Sequence, residues 1–310
     1  MLRLQLIPHD TAYRFVGYRM ISYTLSMLLI LGSIFLVATK GLNFGIDFRG
    51  GTMIEIGTDG PADVGDLRSR LGGLGLGDVQ IQQFGTPTEV LIRVGQQPDA
   101  GEESAQQIVS AIRGELGEGI EYRRVEVVGP QVSSELIESG AIAVVLAVLL
   151  MLIYIWFRFE WQFSVGAVLA LVHDVILTFG MFAALQLEFN LSTIAAILTI
   201  VGYSMNDTVV VYDRIRENLR KFKKTELSAL LDSSINQTLS RTVMTSFTTL
   251  LALFSLYTFG GEVIRGFTFA MIWGVFIGTY SSVFVAAPLL MFIGVKRDWS
   301  GNDVKAPARS

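Results

Sequence analysis

The sequence predicts a polytopic α-helical membrane protein, with six transmembrane helices and one ferredoxin-like α+β domain between the first and the second. Three observations lead there. The composition, 51% hydrophobic over 310 residues with a mean hydropathy of +0.50, is too apolar for a soluble chain of this length. The apolar residues fall in six runs of roughly 18 or more, the length a helix needs to cross hydrocarbon. The one long stretch between runs, 40–138, instead carries strand-like alternation and helix-like spacing.

Taken in order, residues 1–19 form an N-terminal segment with Arg3, Arg14 and Arg19 ahead of the first span at 20–39. No small-residue cleavage site accompanies that span, so it reads as a retained anchor. In the domain at 40–138, Thr52 to Ile56 alternates, and Pro61 introduces a helix over Ala62 to Leu71. Strands at Val79 to Phe84 and Glu89 to Val94 flank a Gly-Thr-Pro turn. A second helix, Glu102 to Leu116, spaces Ala105, Ile108, Val109, Ile112 and Leu116 at three and four, and Tyr122 to Val128 alternates again. The order β-α-β-β-α-β is the ferredoxin-like arrangement. Further spans follow at 139–157, 163–186, 190–212, 242–259 and 266–294, with a loop at 213–241 and a tail at 295–310.

Charge orients these spans. Arg214, Arg216, Arg220, Lys221, Lys223 and Lys224 follow the fourth span, and Lys296 and Arg297 follow the sixth, so those ends and both termini are expected to be cytoplasmic. The opposite turns, 186–190 and 260–262, hold no Lys or Arg. Residues 40–138 then lie outside, with eight basic and sixteen acidic side chains. An acidic domain argues against nucleic-acid binding. The absence of cysteine excludes disulfides and thiolate metal sites, and no cofactor is expected.

The polar residues inside the spans carry the functional expectation. Asp207 lies within the apolar run Leu191 to Tyr212, and an intramembrane carboxylate is costly enough to imply a role and a partner. Arg241, taken as opening the fifth span, is the expected direct partner. Thr199, Tyr203 and Asp207 recur every four residues, with Gly202 and Asn206 alongside; Arg241, Thr245, Thr248 and Thr249 form a second stripe. Gly166, Ala170, Asp174 and Thr178 form a third, with His173 as neighbour, and all three are expected to face one another. Each has a plainer alternative. Asp207 with Arg241 could fix helix register as a static pair, and His173 with Asp174 could be a satisfied polar pair. The stripe on span five and the Gly274/Gly278 pair read first as helix packing.

Several stretches also carry a family resemblance: GLNFGIDFRGGT (41–52), VGPQVSSELIESGA (128–141), WFRFEW (156–161), LVHDVILTFG (171–180), VGYSMNDTVVVYDRIRENLRK (201–221) and INQTLSRTVMTSFTTL (235–250). In order and over nearly the whole chain they resemble the SecD/SecF family of bacterial protein-export membrane subunits, on its SecF side. The resemblance implies an RND-type membrane fold in the bacterial inner membrane. It also implies an auxiliary role, drawing exported polypeptides through the SecYEG channel with the proton-motive force, beside SecD, with YajC as a further candidate partner. It assigns proton transport to Asp207 of the N-D-T element and Arg241 of the S-R-T element; the polar stripes themselves add Asp174, His173, Asn206, Tyr203 and Thr245 as accessory candidates. It marks Gly45, Ile46, Asp47, Phe48, Gly50 and Gly51 as the start of the outer domain. Because only the SecF half is present, a separate SecD is expected to complete the proton path.

Three other classes compete. A scaffold subunit would have no proton flux of its own. A small-molecule antiporter of the same superfamily would normally need twelve spans and larger outer domains. An intramembrane aspartyl protease would need Asp174 and Asp207 to share a water, and the N-D-T context lacks the glycine flanks of such sites; the expectation is a protein that is not an enzyme.

Overall fold

A computed structural model describes residues 11–95, 102–117 and 119–295; Arg3, Lys296 and Arg297, on which part of the orientation rests, lie outside them, as do most of the tail and the first half of the N-terminal segment. Among the described residues six helical rods are long and apolar enough to cross a membrane: 16–40, 132–158, 161–185, 191–221, 227–259 and 265–293. The first contains α1 (Arg19–Lys40) and the second lies within α5 (Pro130–Arg158). Between them come β1 (Asn43–Phe44), α2 (Ile46–Arg49), β2 (Gly51–Thr58), α3 (Val64–Gly72), β3 (Val79–Gln83), β4 (Glu89–Val94), α4 (Glu102–Leu116) and β5 (Ile120–Val128). After α5 follow α6 (Trp161–Leu185), β6 (Glu188–Phe189), α7 (Leu191–Lys221), α8 (Leu227–Phe259) and α9 (Arg265–Ser281); a π-helical segment (Ser282–Ala286) and α10 (Ala287–Ile293) complete the sixth rod.

The outer domain is a four-stranded sheet in the order β3-β4-β2-β5, with every adjacent pair antiparallel, which is the ferredoxin-like topology. Ile54, Ile56, Val90 and Ile92 pack against Leu67 and Leu71 of α3 and Ile108 and Ile112 of α4. The other face is covered near its centre, where Met53 and Leu91 meet Ile46 of α2. Asp63 starts α3 by accepting hydrogen bonds from the amides of Gly65 and Asp66 at 2.9 and 3.0 Å. At the β3–β4 hairpin, Gly85 takes φ +77°, a conformation that side chains with a Cβ resist.

Two boundaries differ from the sequence reading. α5 begins at Pro130, before the apolar run at 139, because Pro at the first turn suits a helix start and the early turns pack on α2. The stretch 213–241, expected as a loop, is helical except at 222–226: α7 runs on to Lys221 and α8 starts at Leu227. These extensions are amphipathic, so a hydropathy window misses them. Ile215 and Leu219 of α7 pack with Leu230, Leu231 and Ile235 of α8, and the Asn218 side-chain amide donates to Ser234 Oγ at 2.8 Å and Gln237 Oε1 at 3.0 Å.

Within the bundle, α7 lies closest to α9. Gly274 backs directly onto Ile200, and a Cβ at Gly278 would fall 3.0 Å from that of Ser204. Gly180 of α6 faces Ser33 of α1 just as closely. Small residues at these crossings let backbones approach where the hydrophobic effect cannot drive association. Gly274→Leu should therefore force α7 and α9 apart at a cost of about 1–3 kcal/mol, seen as a lower melting temperature of the purified protein in detergent; an unchanged melting temperature would contradict this packing.

Candidate functional site

Asp207 sits in the middle of α7 with its carboxylate buried. Oδ1 accepts from Thr242 Oγ1 of α8 at 2.6 Å, and Oδ2 accepts from Ser282 Oγ of the π-helical segment. The expected direct pair with Arg241 is not formed: among the described residues no basic side chain lies within 4.0 Å of Asp207. Arg241 lies well inside α8 and does not open it, and its side chain is exposed. Successive residues on a helix point about 100° apart, so with Thr242 turned to α7 its neighbour Arg241 turns outward.

The same rotation divides the stripes. Asp207 and Thr199 are eight residues apart and differ by roughly 80° in direction, so one is buried and the other exposed. Asn206, Thr245 and Thr248 are likewise exposed, and the inward face of α8 is made by Thr242 and Ser246. Tyr203 is half-buried, and its hydroxyl reaches Ser246 Oγ at 3.4 Å. Thr245 Oγ1 bonds only along its own helix, to the carbonyls of Arg241 and Thr242.

A second carboxylate, Asp174 of α6, is fully buried one layer away. Its Oδ1 is 2.8 Å from His173 Nδ1, and its Oδ2 accepts from Ser204 Oγ of α7 at 2.5 Å and Ser281 Oγ of α9 at 2.7 Å. His173 Nε2 meets Ser26 Oγ of α1 at 3.1 Å, and Ser26 in turn meets the Tyr280 hydroxyl at 3.1 Å. The third stripe thus does face inward, with Ala170, Asp174 and Thr178 all buried. Consecutive serines, Ser281 and Ser282, serve the two acids, and Ser204 lies one turn before Asp207. Sequence reasoning passed over all of these hydroxyls. The available signal was the Ser281-Ser282 pair inside an apolar run and Ser204 three residues before Asp207.

The sixth rod is distorted where it meets Asp207. Pro288 has no amide proton for the carbonyl of Phe284, and Ser22 Oγ of α1 lies 3.1 Å from that carbonyl. The Tyr212 hydroxyl donates to the carbonyl of Ala286 at 2.9 Å. Such π-helical turns inside helices recur at functional sites.

The chemistry follows from hydroxyl versatility. An ionised carboxylate takes two donors, whereas a protonated one must itself donate, and a serine can reverse because it both donates and accepts. Ser282 Oγ has an alternative acceptor in the carbonyl of Thr279 at 3.1 Å, and Ser281 has one in Gly278 at 3.2 Å. Among the described residues neither acid is in direct contact with a guanidinium; the partners of Asp207 are hydroxyls, and those of Asp174 are two hydroxyls and the His173 ring.

At the other end of α6 and α7 lies the Gly45–Gly51 element. β1 pairs in parallel with β6, Asn43 opposite Glu188 and Phe44 opposite Phe189. Asp47 Oδ2 accepts from the amide of Leu191, the first residue of α7, at 2.8 Å. A Cβ on Gly45 would fall 2.5 Å from Glu188 Oε1 and 3.2–3.3 Å from Glu188 Cγ and Asn190 Cβ, so a larger residue would push the Glu188 side chain aside. Phe48 packs with Phe182 and Phe189. Gly50 and Gly51 take φ +71° and +120°, the turn that starts β2. Burial raises the proton affinity of Glu188, and its ion pair with Arg93 opposes the rise. Among the described residues there is no cluster of three or more His, Asp or Glu side chains able to hold a metal.

Comparison with known proteins accords with this geometry. Residues 35–62 match the SecD/SecF GG motif, and residues 108–296 match the family described as protein export membrane protein SecD/SecF, C-terminal. The protein translocase subunit SecF of Vibrio alginolyticus is 44% identical over 295 residues, covering 95% of this chain and 94% of that one. This chain belongs to the SecD/SecF family. SecDF of Brucella abortus is 45% identical over 95% of this chain, which spans 39% of that longer protein. The crystal structure of SecDF from Thermus thermophilus superimposes with a TM-score of 0.84 at 37% identity, over 93% of this chain and 39% of that one. The chain is thus a multi-pass bacterial membrane protein of the translocase family, similar to the SecF part of proteins that elsewhere carry SecD in the same polypeptide.

Asp174→Ala should strand Ser204, Ser281 and His173 in a dry interior and cost about 1–3 kcal/mol, with Asp174→Asn milder because it keeps an acceptor. Thermal unfolding in detergent measures both, and equal melting temperatures for all three proteins would refute the network.

Proposed function

We propose that the protein is the SecF-type auxiliary subunit of the Sec translocase, that it uses the proton-motive force to promote export through SecYEG, and that Asp207 is the group that carries the proton. It works with SecD, with YajC as an accessory, in the inner membrane with both termini cytoplasmic, and it performs no covalent catalysis. The observation that carries this reading is Asp207 itself: a buried intramembrane carboxylate held by hydroxyls of two other rods, with no basic side chain in direct contact with it among the described residues.

Loading a proton changes what the site asks of its neighbours. Asp207 then donates, Ser282 or Thr242 must turn, and the packing of α7 against α8 and the π-helical segment shifts between two hydrogen-bonded arrangements. One elementary charge crossing ~150–200 mV supplies roughly 3–5 kcal/mol, enough to bias such a two-state motion and too little to unfold a domain. Export of a long polypeptide therefore consumes many protons. Arg241, with Asn206 and Thr245, is exposed at membrane depth, where a lone cation facing lipid is costly. That face supports a reading in which SecD covers it and completes the proton path, with Arg241 acting across the interface.

Asp207→Asn keeps the shape of the site and removes its titration. In membrane vesicles carrying the full translocase it should lower proton-gradient-stimulated export at least tenfold and abolish the associated proton flux, with the melting temperature little changed. Undiminished gradient-driven export by that variant would leave the scaffold reading in its place.

A further inference from the structure

The outer domain is joined to the membrane rods through its chain connections and through a grip on the turn between α6 and α7. From one side the grip is made by the segment leaving α1: β1 pairs with β6, Gly45 N donates to the carbonyl of Phe189 at 2.9 Å, and Asn43 Nδ2 donates to the carbonyl of Gln186 at 3.1 Å. From the other side it is made by the sheet, where Arg93 of β4 forms an ion pair with Glu188 while both side chains are largely buried. Asp47 adds a charged cap on an α7 amide that has no partner within its helix. Beside the grip, a cleft of about 720 Å³ separates the open sheet face around Glu55 and Glu126 from the helix ends at Tyr257 and Phe269, so the sheet does not rest broadly on the bundle.

The gripped turn is short, and it ends the two helices that carry Asp174 and Asp207. α7 is one continuous helix from Leu191 to Asp207, a length of ~24 Å. Continuous helix thus links Asp207 to Leu191, where Asp47 and the Glu188–Arg93 pair hold the outer domain.

We propose that Asp47, Arg93 and Glu188 are positioning residues of a mechanical coupling: they fasten the α6–α7 turn to the outer domain so that both move as one body, delivering helix displacement to the exported chain's side of the membrane. The inference rests on the proton-driven reading of Asp207, and it gives the glycine-rich element a physical task. Gly45 permits the close approach, Asp47 fastens the helix, and Gly50–Gly51 turns the chain into the sheet.

The test uses the whole protein, reconstituted with its translocase partners, and reads export per proton taken up. The chain has no cysteine, so an Asn43→Cys/Glu188→Cys pair places two thiols at registered positions of β1 and β6. Reduced, this variant lacks the ion pair and should lose threefold or more in export per proton while proton flux continues; oxidised, the covalent bond should restore the ratio. Arg93→Gln should show the same loss with no response to oxidation. A wild-type ratio in both the reduced pair and Arg93→Gln overturns the coupling. So does a further loss on oxidation, which would mean that the turn must release the domain during the cycle. Failure of the proton reading is seen separately, as export that survives Asp207→Asn.

Discussion

Two carboxylates buried among transmembrane helices are the constraint on which the rest of this bundle depends. Hydrocarbon offers no hydrogen bonds, so each carboxylate oxygen of Asp174 and Asp207 is met by a side chain, His173 on the same helix and hydroxyls on other rods. The donors come from α7, α8, α9 and the π-helical segment, and His173 extends the network to Ser26 on α1. The close crossing at Gly278 lies beside Ser204, which reaches Asp174 from α7, while Gly180 and Gly274 let α6 approach α1 and α9 approach α7.

Asp207 is met by neutral hydroxyls, which can either donate or accept. A buried ion pair would hold Asp207 ionised and its helices in one register, whereas serines and threonines accommodate either protonation state at the price of a rotation. The sixth rod is distorted beside Asp207. Pro288 releases the carbonyl of Phe284, and the adjoining π-helical turn supplies Ser282 to Asp207 next to the residue that serves Asp174. From Asp207, α7 runs unbroken to the turn that the outer domain holds.

Much of the architecture was legible because its signals are one-dimensional. Apolar runs long enough to cross a bilayer mark the rods, and alternating and three-four spacings mark the strands and helices of the outer sheet. The helical hairpin beyond the fourth span was not legible: its apolar residues cover one face only, and its charged face makes the segment look like a loop to any hydropathy average. The pairing of Asp207 with Arg241 was inferred from opposite charge and from Arg241 opening the next apolar run on the same side of the membrane. It misses because α8 presents Thr242 inward, and an adjacent residue on a helix cannot share that direction.

The sequence by itself determined that costly polar groups would lie within membrane-spanning helices, which residues they are, and that an acidic α+β domain separates the first two spans, since composition and periodicity carry that information locally. Only the tertiary structure decided that hydroxyls rather than a guanidinium meet the carboxylates, that the second strip of polar residues turns outward, and that the glycine-rich element clasps the start of α7. These depend on the rotation and crossing of helices far apart in the chain, set by long-range packing that no local pattern encodes.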